Sequence, residues 1–312
     1  MRQSLLHTTR RAGKARKGAL LSRPAALAER IERAHALDPV VGGLSESVVR
    51  ALPAGPRTDA LHGVPFGQPA HPALVRLPLG CWTSAVLLDL FRGTDRAAAV
   101  LIAAGVAGTV PAAATGLADW SALHQDQQRV GLVHAICQAG AATLFLGSLA
   151  ARAGGRPGYG RALSASGLFM GTIGAYLGGH LVFAKAVMVS RVAGADGPRR
   201  WVRVIEESEL PDDVPAGVQA DGRQVLLYRH DGTLYALDNL CSHAAGLLSR
   251  GSVEGLTVTC PLHGSQYCLA DGSVRRGPSH QPQPVIRSRV RNGWIEVRGN
   301  QPAPRRAANG RK

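Results

Sequence analysis

Four long apolar stretches, residues 73–91, 97–118, 130–151 and 163–190, fill the middle of the chain. Each is about twenty residues or longer, the length that crosses a hydrocarbon core. The third (VGLVHAICQAGAATLFLGSLAA) and the fourth (LSASGLFMGTIGAYLGGHLVFAKAVMVS) are the clearest. In the fourth, Gly167, Gly171, Gly174 and Gly178 recur on one helical face, where small residues let another helix approach closely. Ahead of the spans, Pro24 opens an amphipathic helix with Leu27, Ile31 and Leu37 on one side, and a second short helix is expected from Ser47 to Leu52. The Pro- and Gly-rich stretch 53–72 leads into the first span.

Past Arg191 the period changes. Pro198 and Arg199-Arg200 mark a linker, after which short strands are expected at Val202–Glu206, Arg223–Tyr228, Leu234–Leu237, Thr257–Cys260, Val285–Val290 and Trp294–Val297. Asp221-Gly222, Asp231-Gly232, Asp271-Gly272 and Asn292-Gly293 supply hairpin turn signals. The pattern therefore predicts an N-terminal all-α four-helix transmembrane bundle over 73–190, preceded by short helices over 24–72. A linker at 191–200 joins it to an all-β antiparallel module over 201–300. Basic flexible tails are expected at 1–23 and 301–312.

Charge sharpens this picture. The 36 Lys and Arg outnumber 21 Asp and Glu, and the excess concentrates in the tails. Basic tails suit anionic lipid or nucleic acid. Aromatics are too scarce for base stacking and the middle is hydrophobic, so lipid is the expected partner and nucleic acid is not. Of five cysteines, Cys81 and Cys137 fall in apolar spans, and nothing suggests a disulfide framework. Arg10-Arg11 precedes no apolar run, so no cleavable signal is expected.

The chemistry lies in Cys241-Ser242-His243 and, sixteen residues on, Cys260-Pro261-Leu262-His263-Gly264-Ser265-Gln266-Tyr267. Each half offers one thiolate and one imidazole. Cys₂His₂ also suits tetrahedral zinc, although zinc fingers space their ligands differently. The pair of motifs resembles the Rieske iron–sulfur signature, C-x-H followed by C-x-x-H. The resemblance implies a [2Fe–2S] cluster with Cys241 and Cys260 on one iron and His243 and His263 on the other. It further implies that Ser265 and Tyr267 donate hydrogen bonds to cluster sulfurs, which raises the potential. Respiratory members join the two loops by a disulfide, and its positions are occupied here by Gly246 and Leu262. A ferredoxin-like module is therefore expected rather than a subunit of a quinol-oxidising complex. Cys268 is expected to be an inert strand residue. A Rieske oxygenase needs a further large domain with a mononuclear iron site. Only 49 residues follow His263, so the chain is not expected to be an oxygenase on its own.

A second resemblance rests on Gly67–Pro72, Gly80-Cys81-Trp82-Thr83-Ser84-Ala85, Leu88-Asp89-Leu90, Gly116–Trp120 and Arg129–His134. It is to a bacterial four-helix membrane family of uncharacterised function, in which members carrying a C-terminal Rieske domain are familiar. Gln68 stands where that family leads us to expect His. With alternating spans, His71, Asp119, His134 and His180 all fall toward the leaflet that carries the β module, and buried ionisable groups there suggest function. His134 with Gln138, and Tyr176 with His180, share helical faces. A bis-His haem b or a quinone site among His71, His134 and His180 is one expectation; hydrogen bonds that only fix the packing are the other.

Charges flanking the spans divide almost evenly, five Arg against six, so orientation is argued from cluster assembly in the cytosol. The expectation is a multi-pass protein of the bacterial inner membrane with a cytoplasmic Rieske domain, passing single electrons between a reductase, its redox partner protein, and an acceptor. Alternatives are a redox or iron sensor acting on the bundle, or a subunit of a membrane oxidoreductase.

Overall fold

A computed structural model describes residues 23–195 and 197–299. The expected basic tails lie outside the described residues, except that Arg23 begins the first helix. Eight α-helices come first: α1 (Arg23–Glu32), α2 (Asp38–Ala51), α3 (Pro56–His62), α4 (Ala70–Leu74), α5 (Arg76–Leu88), α6 (Asp95–Ser121), α7 (Gln125–Ala153) and α8 (Pro157–Phe183). Proline sits in the first turn of α2, α3 and α8, where its missing N–H costs nothing. At the start of α7, Gln127 Oε1 accepts from the His124 peptide N–H at 3.1 Å, one half of a capping box.

Three expectations shift. The short helix at 47–52 is the end of the longer α2. The stretch 53–72 holds α3 and a 3₁₀ turn at Val64–Phe66. The first span, expected as one helix over 73–91, is built from α4 and the 13-residue α5, which meet at Val75. Among the described residues, α6 and α7 are long and apolar enough to cross a membrane. Their outer faces, and that of α8, expose Val100, Val110, Ile136, Leu146 and Phe169, where a helix in water would place polar groups.

The glycine face of α8 lies against α7. A Cβ on Gly167 would stand 3.0 Å from the Phe145 ring, and one on Gly174 2.7 Å from Gln138 Nε2. Arg152, on the far end of α7, is buried between Asp89 at 2.6 Å and Asp95 at 3.0 Å. The near end is tied by Arg129 to Asp38 at 2.6 Å and to His35 at 2.9 Å.

Ten strands follow: β1 (Val202–Glu206), β2 (Ala216–Ala220), β3 (Arg223–His230), β4 (Thr233–Asp238), β5 (Ser252–Glu254), β6 (Thr257–Thr259), β7 (Gln266–Cys268), β8 (Val274–Arg276), β9 (Ile286–Arg291) and β10 (Trp294–Gly299). They form three antiparallel sheets in the orders β1-β10-β9, β2-β3-β4 and β5-β6-β7-β8. The two-residue turns Asp221-Gly222, Asp231-Gly232 and Asn292-Gly293 all have positive φ at both positions, as the twist of a tight hairpin requires. One core joins the first two sheets through Leu227, Ala236, Ile295 and Val297. A second core, of Leu226, Leu237, Leu248, Val258 and Tyr267, supports the loops after β4 and β6.

Candidate metal centre

Those two loops fold alike. The Cys241 N–H donates to the Gly246 carbonyl at 2.8 Å, and its carbonyl accepts from the Ala245 N–H at 2.8 Å. The Cys260 N–H donates to the Ser265 carbonyl at 2.8 Å, and its carbonyl accepts from the Gly264 N–H at 3.1 Å. Ala245 and Gly264 both take positive φ, which turns each chain back on itself. Peptide N–H groups of His243 and Ala244 point at Cys241 Sγ, and those of Leu262 and His263 at Cys260 Sγ. A Cβ on Gly246 would lie 2.8 Å from the Leu262 side chain, so the loops touch where a respiratory member has its disulfide.

The four candidate ligands meet at this tip. The two thiols are within hydrogen-bonding reach of each other, and the imidazoles of His243 and His263 stand 5.1 Å apart, nearly perpendicular. Both Nδ1 atoms are buried and find no partner. Burial of such a group without a partner costs free energy, so a ligand at Nδ1 explains both. Sulfur paired with sulfur on one side and nitrogen with nitrogen on the other fits a two-iron cluster.

Electrostatics prepare the donors. Hydrogen bonding from the Cys260 thiol draws the Cys241 thiol down to about 6, helped by the Tyr267 hydroxyl, and pushes Cys260 itself up. Burial lowers His243 to about 3 and lowers His263 too, so both imidazoles are neutral, as metal ligation needs. The Tyr267 hydroxyl lies 3.1 Å from Cys241 Sγ and 3.0 Å from Ser242 Oγ. Ser265 Oγ accepts the Ser279 N–H at 3.0 Å, which leaves its own hydrogen to donate elsewhere. A third loop, after β8, completes the support. Gln283 accepts the Ser242 N–H at 3.1 Å and donates to the Asp238 carbonyl at 2.7 Å. Cys268, buried on β7, is not at the tip.

The tip faces the helical domain. Asp59 Oδ1 accepts the Gly277 N–H at 2.8 Å, Gln281 Nε2 donates to the Gly67 carbonyl at 2.7 Å, and the Arg191 N–H donates to the Ser242 carbonyl at 2.9 Å. The His124 ring is 5.5 Å from that of His263. A narrow cleft of about 20 Å³, room for little more than a water, lies beside them, lined by His124, Gln127, Met188, Arg191, His243 and His263. Close by, His62 Nδ1 donates to Asp119 Oδ1 at 2.8 Å, with both side chains buried. His280, on the loop after β8, is also buried with an Nδ1 that finds no partner, and the sequence reading missed it with His62 and His124, because single histidines with no spacing pattern carry no signal until the domains meet.

The three histidine candidates of the helical domain separate. His71 Nδ1 is 2.8 Å from the Ala112 carbonyl, and His134 Nδ1 is 2.7 Å from the Gly174 carbonyl; the two rings are 6.5 Å apart. His180 does not join them. Its Nε2 is 2.6 Å from Glu32 Oε1, and Lys185 holds the other oxygen at 3.1 Å, fastening α1 to α8. Gln138 donates to the Gly171 carbonyl at 3.3 Å, and Tyr176 is exposed.

Two family models match the chain. Residues 200–289 match the Rieske [2Fe–2S] domain, and residues 67–191 match a predicted membrane protein family (DUF2231). The naphthalene 1,2-dioxygenase system ferredoxin component of Pseudomonas aeruginosa is 34% identical over 82 residues, 26% of this chain and 79% of that protein. Sulredoxin of Sulfurisphaera tokodaii is 32% identical over 105 residues, covering 31% of this chain and 96% of its own. A solved ferredoxin of carbazole 1,9a-dioxygenase from Nocardioides aromaticivorans IC177 is 31% identical, with a TM-score of 0.31 over 32% of this chain and 97% of that one.

Proposed function

Because the chain belongs to the Rieske [2Fe–2S] family through residues 200–289, we propose that Cys241, His243, Cys260 and His263 hold its cluster and that the chain moves single electrons at a membrane. The Rieske domain is an electron carrier with a [2Fe–2S] cluster, which takes up one electron at a time. The observation that carries the ligand assignment is the pair of buried, partnerless Nδ1 atoms beside two paired thiols. Neutral imidazoles leave the cluster less negative than four thiolates would, so it accepts an electron more readily. Tyr267 holds its hydroxyl at Cys241 Sγ, buried Ser265 is the second donor this reading assigns, Gln283 fixes the Ser242 loop, and His124 of the helical domain lies beside His263.

The bundle crosses the bacterial inner membrane several times and carries the Rieske domain on the cytoplasmic side. The apolar outer faces of α6, α7 and α8 support the first part, and cluster insertion in the cytosol supports the second. The relative from Pseudomonas aeruginosa is named as one component of a dioxygenase system, and a soluble reductase is the corresponding donor here. With the tip turned to the bundle, the acceptor lies on the membrane side. The same contacts favour one second reading, a sensor in which cluster state is passed to α3 through Asp59 and Gly277. Rapid, reversible oxidation by an added acceptor separates carrier from sensor.

The test is the EPR spectrum of reduced membranes carrying the wild-type chain or His243→Cys. Loss of the Rieske-type signal in the variant is expected; an unchanged spectrum would overturn the ligand assignment.

A further inference from the structure

His71 on α4 and His134 on α7 are arranged as a second cofactor site. A backbone carbonyl only accepts, so each Nδ1 carries the hydrogen it donates to Ala112 or Gly174. In a neutral imidazole that hydrogen fixes the tautomer and leaves the lone pair on Nε2. Among the described residues no side chain or backbone group hydrogen-bonds to either Nε2. An imidazole oriented by Nδ1–H to a carbonyl is the usual second shell of a metal-ligating histidine.

The spacing agrees. A metal–imidazole bond is about 2.0–2.1 Å and a ring nitrogen sits about 1 Å from its ring centre, so one ion between two facing Nε2 atoms needs centres roughly 6 Å apart. The observed separation is 6.5 Å with the ring planes at 83°. Both rings rest in notches that glycine opens: a Cβ on Gly116 would be 2.9 Å from His71, and one on Gly178 3.2 Å from His134. Among the described residues no third His, Cys, Asp or Glu joins the pair, so a planar ligand must supply the remaining coordination. A tetrapyrrole does this, and helical bundles hold cofactors between facing helices.

We infer that His71 and His134 are the two axial ligands of a haem iron held between the α4/α6 pair and the α7/α8 pair. His180 is excluded by its bond to Glu32. The site lies at the end of the bundle that receives the Rieske tip: Asp119, bonded to His62, is three residues of α6 beyond the Gly116 notch, about 4.5 Å of helix rise. As an acceptor for the cluster the haem rests on the function proposed above; one electron leaves the reduced cluster and ferric iron becomes ferrous, with no proton required. Its ligation does not rest on that function.

The experiment uses the full chain, purified in detergent from cells supplied with a haem precursor, and titrated with hemin if haem is substoichiometric. Expected are a Soret band, one haem per chain by pyridine haemochrome, and an anisotropic low-spin ferric EPR signal. His71→Ala and His134→Ala should each lower bound haem at least tenfold, while His180→Ala retains it. His71→Met, which keeps an axial donor, should retain haem with a shifted reduced spectrum and a raised potential, so lost folding and lost ligation are told apart. A protein with a normal Rieske EPR signal but no Soret band, before or after hemin, would overturn the inference. So would haem that survives both alanine substitutions. Haem bound without a Rieske signal would leave this site standing and remove the electron-transfer proposal instead.

Discussion

Replacing Tyr267 with Phe isolates one contribution to the cluster's potential. The substitution removes the hydroxyl 3.1 Å from Cys241 Sγ and keeps the ring, which is 0% exposed and packed among Leu226, Leu248 and Val258. The fold should therefore survive. A hydrogen bond to a charged group is worth about 1.5–3 kcal/mol against roughly 1 kcal/mol for a neutral one. Reduction adds negative charge at the sulfur, so the hydroxyl favours the reduced state by roughly 1 kcal/mol. For one electron about 1.4 kcal/mol corresponds to about 59 mV, so the potential should fall by about 40 mV. Ser242 cannot fully replace the lost donor, because its hydroxyl is engaged with Ser279 Oγ at 2.8 Å and the Gln281 carbonyl at 2.9 Å. Protein-film voltammetry on wild type and variant measures the change directly. An unchanged or higher potential, with an intact EPR signal, would refute the reasoning.

Three further outcomes follow from contacts described above. In the metal-free protein His243 is held near pKa 3 by burial while the unfolded chain protonates it near 6.5, so the unfolded state binds the extra proton; stability should fall as pH drops from about 6.5 toward 3, by at most about 1.4 kcal/mol per unit. Denaturant titrations at pH 7 and pH 5 test this, and equal midpoints would contradict it. Asp59→Ala removes the carboxylate that accepts the Gly277 N–H, weakening the docked arrangement by about 1–3 kcal/mol; limited proteolysis between α8 and β1 should accelerate, and an unaltered rate would argue against the dock. Arg129→Met leaves Asp38 and the Glu32 carbonyl without their partner; because Asp38 is about one-third exposed, the loss should be smaller than that of a fully buried pair, read as a lower Tm in detergent.

The ligand loops were legible because two short motifs carry their chemistry in fixed spacing, and the turns beside them because Asp-Gly and Asn-Gly have few other uses. Six strands were placed within a few residues. Strands β5, β7 and β8 were missed because three residues are too few to display a period, and β2 because Ala216 and Gly217 weaken its alternation. The first span was drawn as one element because its composition is mostly apolar, although Arg76 interrupts the run and Pro78, in the first turn of α5, marks the break at Val75. His180 was grouped with His71 and His134 because its partner Glu32 lies 148 residues earlier, beyond any local pattern. The direction in which the cluster tip points was likewise invisible. It follows from Asp59, Gly67 and Arg191 meeting the β loops, and those contacts exist only in the assembled chain.

Phe183 ends the last helix and Val202 opens the first strand, with eighteen residues between them. Fully extended, such a leash spans about 60 Å. A leashed head meets its own seat at an effective concentration in the millimolar range. Val187, Val192 and Ala195 within that segment are buried and the Arg191 N–H bonds to Ser242, so the connection is itself part of the seat. A rival present at micromolar levels must grip the head about a thousandfold more tightly to keep it away. The covalent connection therefore adds to every contact between the two domains an advantage that no separate partner shares.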